Sequence, residues 1–246
     1  MRITVFNGSS RGEKGNTNIM VKEFLNGARE AGAGTENIFL VEKNIKHCLA
    51  CFTCWLKTPG KCVTRDDMED LLQRFMDSDI VVYATPVYVD NVSGIMKNFM
   101  DRHLPIIDPY FEKDENGEYR HRRRYSKYPK IVAISNCAYP EQSNFQVIHL
   151  LSRRIARNLH SEVIGEIYRG GAEILRSRSP ALAPLVEKYK VSLRQAGREL
   201  AENLKLSKET VQELEKPIIS HDLYVKGLND AWDRYFSQHE TSSTRE

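Results

Sequence analysis

The chain has 246 residues, 41% hydrophobic and 28% charged, with a formal net charge of +3 and five cysteines. That balance excludes a disordered or fibrous chain, and so small a charge gives no electrostatic footprint for nucleic acid. No run of eighteen uncharged apolar residues occurs, and Met1-Arg2-Ile3-Thr4-Val5-Phe6 enters a strand-like pattern at once; the expectation is a soluble, cytoplasmic protein without a membrane partner, whose thiols stay reduced.

In chain order, a strand is expected over residues 3–6, then a helix over 17–31 with Met20, Phe24 and Ala28 on one face and Gly32 as its stop. A strand at 38–41 follows, then a helix at 66–77, whose Met68, Leu71, Leu72, Phe75 and Met76 share a face and whose Asp66 and Glu69 form a capping box. The rest of the alternation is strand 80–84, helix 93–103, strand 131–135, helix 143–158, strand 163–167 and helix 182–204. Residues 105–129 stand outside it. There the turn Asp114-Glu115-Asn116-Gly117 lies between aromatics and ahead of Arg120, Arg122, Arg123 and Arg124, which reads as a β-hairpin or lid. After position 204 come helical stretches at 207–216 and 223–236, the second with a stripe of Tyr224, Leu228, Trp232 and Phe236, and a frayed end at 237–246.

Strands alternating with helices imply an α/β fold, a doubly wound five-stranded parallel sheet of flavodoxin-like order. It carries a hairpin insertion and a helical C-terminal extension. Ligands of such sheets sit at the carboxyl ends of the strands near the topological switch, so chemistry is expected in the loops after the first, third and fourth strands.

The first loop is Asn7-Gly8-Ser9-Ser10-Arg11-Gly12-Glu13-Lys14-Gly15-Asn16-Thr17. Its glycines let amides turn inward, Ser9, Ser10 and Thr17 offer hydroxyls, and the helix that follows adds a partial positive charge, which suits a phosphomonoester. Neither G-x-x-x-x-G-K-[ST] nor G-x-G-x-x-G is present, so ATP and a dinucleotide of Rossmann type are not supported. The plainer alternative is a polar turn capped by Asn16 or Thr17.

Here the sequence resembles the NADPH-dependent FMN reductase family of the flavodoxin-like superfamily, which opens with a strand, a Gly-Ser-x-Arg loop and an Asn-Thr before the first helix. The second loop, Thr85-Pro86-Val87-Tyr88, followed by Ser93-Gly94, Met96-Lys97 and Asp101-Arg102, is similar to that family's Pro-x-Tyr loop and the helix behind it. The third, Ser135-Asn136-Cys137-Ala138-Tyr139-Pro140, lacks the glycine relatives often carry there. The resemblance implies FMN as cofactor and NAD(P)H as cosubstrate, with Ser9, Ser10, Arg11, Asn16, Thr17, Thr85, Pro86, Val87, Tyr88, Asn136 and Cys137 as flavin-binding residues. Hydride transfer to a flavin needs no side-chain nucleophile or base, so no catalytic residue is named. His103 and His121 read as structural or solvated, and the basic run as a solvated hairpin face or a subunit contact ahead of a contact for the extra phosphate of NADPH.

Cys48, Cys51, Cys54 and Cys62 form a C-x2-C-x2-C-x7-C pattern. Four thiolates so spaced can wrap a cubane, and the pattern resembles the iron–sulfur flavoprotein branch of the same superfamily, which implies a [4Fe-4S] cluster. Spare thiols, a Cys51–Cys54 dithiol and a structural zinc site remain open alternatives. The expected function is an FMN-dependent NAD(P)H oxidoreductase of flavin or quinone type serving a small-molecule or protein electron acceptor. A flavodoxin-like electron carrier without turnover is the alternative. Residues 1–204 are taken as the flavin-binding domain with 105–129 as its arm, and 205–246 as the extension; the resemblance implies a homodimer or homotetramer.

Overall fold

Apolar side chains that alternate along a strand serve two opposite faces, and here both faces are covered. The computed structural model describes residues 1–243, with side chains to residue 239. The chain runs β1 (Arg2–Asn7), α1 (Asn16–Glu30), β2 (Gly34–Phe39), the short α2 (Thr53–Leu56), α3 (Met68–Met76), β3 (Ile80–Tyr88), β4 (Asn91–Val92) and α4 (Gly94–Asp101). Then come β5 (Ile107–Lys113), β6 (Tyr119–Arg123), β7 (Lys130–Asn136), α5 (Gln146–Asn158), β8 (Val163–Arg169), α6 (Ala183–Asn203), α7 (Lys208–Glu215) and α8 (His221–Ser243).

The main sheet has the order β2-β1-β3-β7-β8 with every pair along that path parallel, and β4 adds a short antiparallel rung to β3. This is the doubly wound, flavodoxin-like arrangement. Ile3, Val5, Val82, Val132 and Ile134 face one core, built with Phe24 and Ala28 of α1 and Leu193, Ala196 and Leu200 of α6. Phe6, Val81, Tyr83 and Ile131 face the other, with Leu71 and Phe75 of α3, Phe99 of α4 and Ile148 of α5. The switch in winding direction lies between β1 and β3, so their loops open a crevice at the carboxyl edge.

The expected hairpin is β5–β6, an antiparallel pair separate from the main sheet and turned at Asp114, whose carboxylate receives the backbone N–H groups of Asn116 and Glu118. The second strand lies earlier than its apolar pattern indicates. It pairs from Gly34 opposite Arg2, directly after Gly32 (φ +83) ends α1, and Leu40 already turns into the second core. Its Thr35, Glu36 and Asn37 are half-buried polar residues of an edge strand, which hydropathy does not mark. The capping box is corrected too: α3 begins at Met68, and the Asp66 carboxylate, besides accepting from Met68 N–H at 3.1 Å, is committed to Arg102.

The helical extension docks on β8. Arg169, buried in the sheet edge, lies over the Tyr189 ring at 4.0 Å and donates to the carbonyls of Leu214 and Lys216 at the end of α7. Of the α8 stripe, Tyr224 is buried and Leu228 packs against the core, whereas Trp232 and Phe236 are 52% and 56% exposed. The helix continues to Ser243 where fraying was expected, and residues 244–246 lie outside the described part.

His103 sits among Phe75, Phe99 and Tyr83, with ring centroids 5.0, 4.8 and 6.2 Å away, and burial pushes its imidazole down to about 3. Its Nε2 has no partner among the described residues. The unfolded chain takes up this proton from about pH 6.5 downward while the folded one does not, so stability drops as pH falls below that value. Between pH 7 and 5 the folded protein is expected to lose about 2 kcal/mol through this group alone. Denaturant unfolding of His103→Leu at both pH values should show that loss removed; an unchanged loss assigns it elsewhere.

Candidate functional site

The loops after β1, β3 and β7 meet at the carboxyl edge of the sheet around a cavity of about 260 Å³. All of the residues expected there line it except Ser10 and Thr85. The Ser10 hydroxyl stands 3.2 Å from that of Tyr88. Thr85 is buried behind its loop, where its Oγ1 accepts the Ser93 N–H at 3.0 Å and donates to Pro86 O. It fixes the Pro86-Val87 backbone without facing the cavity.

The first loop is tied down from both sides. Gly8 N–H donates to Ala84 O at 2.8 Å, and Ser93 Oγ donates to Gly8 O at 2.6 Å while accepting the Met96 N–H at 3.1 Å as the cap of α4. Gly12 adopts φ +51, a conformation that admits glycine cheaply. A Cβ on Gly15 would lie 2.4 Å from Ser9 Oγ, so a side chain there would displace the Ser9 hydroxyl. Gly15 is also the N-cap of α1, and no side chain accepts from the helix's first turn. The plainer reading, a turn capped by Asn16 or Thr17, is therefore not what forms. First-turn N–H groups without a side-chain acceptor, next to Ser9, Arg11 and Thr17, are the chemistry of an anion site.

The third loop locks onto the first through Asn136 Nδ2, which donates to Thr17 Oγ1 at 2.7 Å. Burial pushes the Cys137 thiol up to about 11, and its S–H faces Tyr139 O at 3.2 Å, so it behaves as a packed apolar group and not as a nucleophile. The glycine absent from this loop is supplied by the next one. A Cβ on Gly170 would meet Pro140 O at 2.3 Å, so the β8 loop closes against Tyr139-Pro140 only because it is glycine.

That same loop brings in a residue that sequence reasoning missed. Glu173 lines the cavity, accepts from Asn16 Nδ2 at 3.0 Å and lies 3.5 Å from Arg11 Nη1. Gly170-Gly171 after the last strand was its only sequence signal. Asn16 Oδ1 is buried without a partner among the described residues, a polar atom aimed at a site that a ligand with hydroxyls and phosphate would satisfy. At the mouth, Val89 and Asp90 hold φ of +48 and +59. Val89 is 95% exposed, and strain in an exposed β-branched residue is typical of loops shaped for binding.

The loop after β2 carries the cysteines. Ala50 (φ +48) and Phe52 (φ +53) reverse the backbone between them, and Cys48, Cys51, Cys54 and Cys62 line one small cavity with Arg102 and Pro105. All four are free thiols. Burial raises the Cys54 thiol, and the nearby charges of Cys62, Cys48 and Cys51 raise it further; the Thr53 hydroxyl lowers that of Cys51. A shared cavity with four soft sulfur donors fits an iron–sulfur cluster in donor type. As the side chains stand, no three His, Cys, Asp or Glu among the described residues close around a metal ion.

Arg102 and Asp66 are 2% and 0% exposed, with Nη1 and Oδ2 2.5 Å apart and Nη2 and Oδ1 3.2 Å apart. Burial pushes the Asp66 carboxyl up, but Arg102 and the N–H groups of Lys46 and Met68 outweigh it and hold it below its usual range, so the pair is ionised. Trp55 donates to Leu104 O at 2.9 Å, stacks on Phe52 and packs at a tilt against His121, which itself stacks on Phe111, and these contacts clamp the hairpin to the cysteine loop. The basic run is largely committed to the hairpin itself: Arg120 to Glu112, Arg122 to Asp108 and the Tyr110 ring, Arg124 to Ile107 O. Among the described residues no helix is long and apolar enough to cross a membrane.

Residues 1–122 match the family model of NADPH-dependent FMN reductase. An iron–sulfur flavoprotein of Methanocaldococcus jannaschii is 38% identical over 106 residues, 43% of this chain and 53% of that one. Another, from Archaeoglobus fulgidus, is 41% identical over 98 residues, 40% of this chain and 43% of its own. The chain thus spans about half the length of the curated relatives it matches. Among solved structures, an FMN-dependent NADH-azoreductase of Bacillus anthracis in complex with FMN gives a TM-score of 0.59 at 17% identity, over 82% of this chain and 99% of that one. An NAD(P)H:quinone oxidoreductase of Methanothermobacter marburgensis gives 0.58 at 15% identity, over 82% and 98%. At such identities these two likenesses speak to the fold.

Proposed function

We propose, on the premise that residues 1–122 belong to the NADPH-dependent FMN reductase family, that this chain is an FMN-dependent NAD(P)H oxidoreductase with its flavin in the crevice between the three loops. The observation that carries this reading is the anion cradle: a helix N-terminus without a side-chain cap, two hydroxyls and a guanidinium around one cavity. Bound there, FMN supplies hydride acceptance from a reduced nicotinamide and electron delivery to a second substrate. The protein's part is placement. Ser9 and Thr17 donate to the phosphate and Arg11 neutralises it; Thr85 fixes the Pro86-Val87 backbone; Tyr88, 45% exposed, offers its ring at the mouth.

Residues 1–204 are the flavin-binding unit in this reading, 105–129 its arm and 205–246 an extension, in a cytoplasmic homodimer or homotetramer. The cysteine loop holds a [4Fe-4S] cluster through Cys48, Cys51, Cys54 and Cys62, supported by their common cavity and by the likeness to iron–sulfur flavoproteins. The acceptor is a small molecule or a protein. A simple carrier fits less well, since such proteins are acidic for docking and this chain stands at +3.

Protein purified without oxygen should show a flavin spectrum, bind added FMN when stripped, and oxidise NADH or NADPH with a quinone. No FMN binding after reconstitution overturns the reading. Thr17→Val removes one donor and the lock on Asn136, and should weaken FMN by roughly 10- to 100-fold, the worth of a hydrogen bond to a charged group. Fluorescence titration measures it, and unchanged affinity places the phosphate elsewhere.

A further inference from the structure

All four cysteines lie between residues 47 and 65, and the two ends of that segment are gathered by one buried ion pair. Asp66 accepts from Lys46 N–H at 2.9 Å, and Arg102 Nη1 donates to Lys46 O at 2.6 Å. The same guanidinium holds Asp66 with both terminal nitrogens, and its Nη2 also reaches Cys62 Sγ at 3.4 Å. Burying two charges costs several kcal/mol per ion before attraction repays it, so such a pair is weak evidence for stability. Its distinguishing feature is where the remaining donor points. Only a planar, multi-donor group can grip a carboxylate, a carbonyl and a sulfur together.

We infer that Arg102 is the positioning residue of the cysteine loop: it fixes the fourth cysteine by a charge-assisted N–H···S bond and thereby raises the reduction potential of the group those sulfurs hold. This rests on the cluster reading proposed above. Hydrogen bonds to ligand sulfur are a principal means by which a protein sets a cluster's potential. The direction follows from the hydrogen bond: reduction adds electron density to the ligand sulfurs, and an N–H donor at Cys62 Sγ stabilises that density, so the bond favours the reduced state. Asp66 is part of the device, because its carboxylate orients the fork that leaves Nη2 aimed at Cys62.

Arg102→Lys keeps the charge and loses the fork. Reconstituted without oxygen, it should bind iron and sulfide in the wild-type ratio but show a more negative midpoint in a redox titration followed by EPR. A midpoint unchanged in a folded, fully loaded variant overturns the inference. One measurement needs no variant: wild-type protein grown with nitrogen-15 arginine should show a nitrogen-15 hyperfine coupling on the reduced cluster, and its absence also overturns the inference. Wild-type protein that takes up no iron or sulfide overturns the cluster reading itself, a failure recognisable before any variant is made.

Discussion

Cys54→Ser is expected to abolish iron and sulfide binding while leaving FMN binding unchanged. Cys54 is the most enclosed of the four loop cysteines and lines one cavity with the other three. The left-handed residues Ala50 and Phe52 exist to turn the backbone around it, a conformation that costs about 1–3 kcal/mol at a non-glycine residue and persists where the surroundings over-determine it. A cubane held by four thiolates does not tolerate replacement of an interior ligand by a harder, less easily ionised hydroxyl. Cys137→Ser is the control: that thiol lies in a different loop, packed and protonated, and its variant should keep full iron content. If Cys54→Ser and wild type alike contain flavin and neither iron nor sulfide, the loop carries spare thiols and the protein is a simple flavin reductase. The readout separates these because the cavity proposed for the flavin and the cysteine cavity are lined by different loops.

Much of this was legible in the sequence, for reasons tied to particular residues. Short continuous apolar runs at β1, β3 and β7, buried on both faces, located the centre of the sheet, and with it the three loops that meet at one cavity. What escaped has a common cause: its signal is a long-range partner. Thr85 reads as a loop residue at the cavity, and only Ser93, eight positions on, turns it inward. Glu173 has no local pattern that marks a site, because its partners Asn16 and Arg11 lie more than 150 residues earlier. Asp66 looked like a helix cap from its spacing to Glu69; the buried Arg102, 36 positions away, decides its role. β2 was displaced because an edge strand carries half-buried polar residues that hydropathy does not register.

The helix pair α1 and α6 shows the same blindness with the largest energetic consequence, and it yields the strongest stability prediction. Gly27 and Gly197 sit inside helices, where glycine costs about 1 kcal/mol relative to alanine, so by local rules alanine at either site should stabilise. The packing reverses the sign. A Cβ on Gly27 would lie 1.7 Å from Arg194 O, and one on Gly197 would lie 1.9 Å from Phe24 O. The obstructing atoms are backbone on both sides, so the helices must separate, taking Phe24, Ala28, Leu193 and Ala196 of the first core with them. Each of Gly27→Ala and Gly197→Ala is expected to cost about 3 kcal/mol, at the upper end of overpacking effects, and to lower Tm by roughly 6–12 °C for a chain of this size. Gly227→Ala in α8 is the matched control. Nothing lies within 4 Å of its Cβ, so there the local rule holds and a gain of about 1 kcal/mol is expected. Thermal melts of the three variants decide the matter: stabilisation at Gly27 or Gly197 would mean the two helices do not approach at these glycines, and the face of the sheet that α1 presents to the phosphate loop would need a different packing.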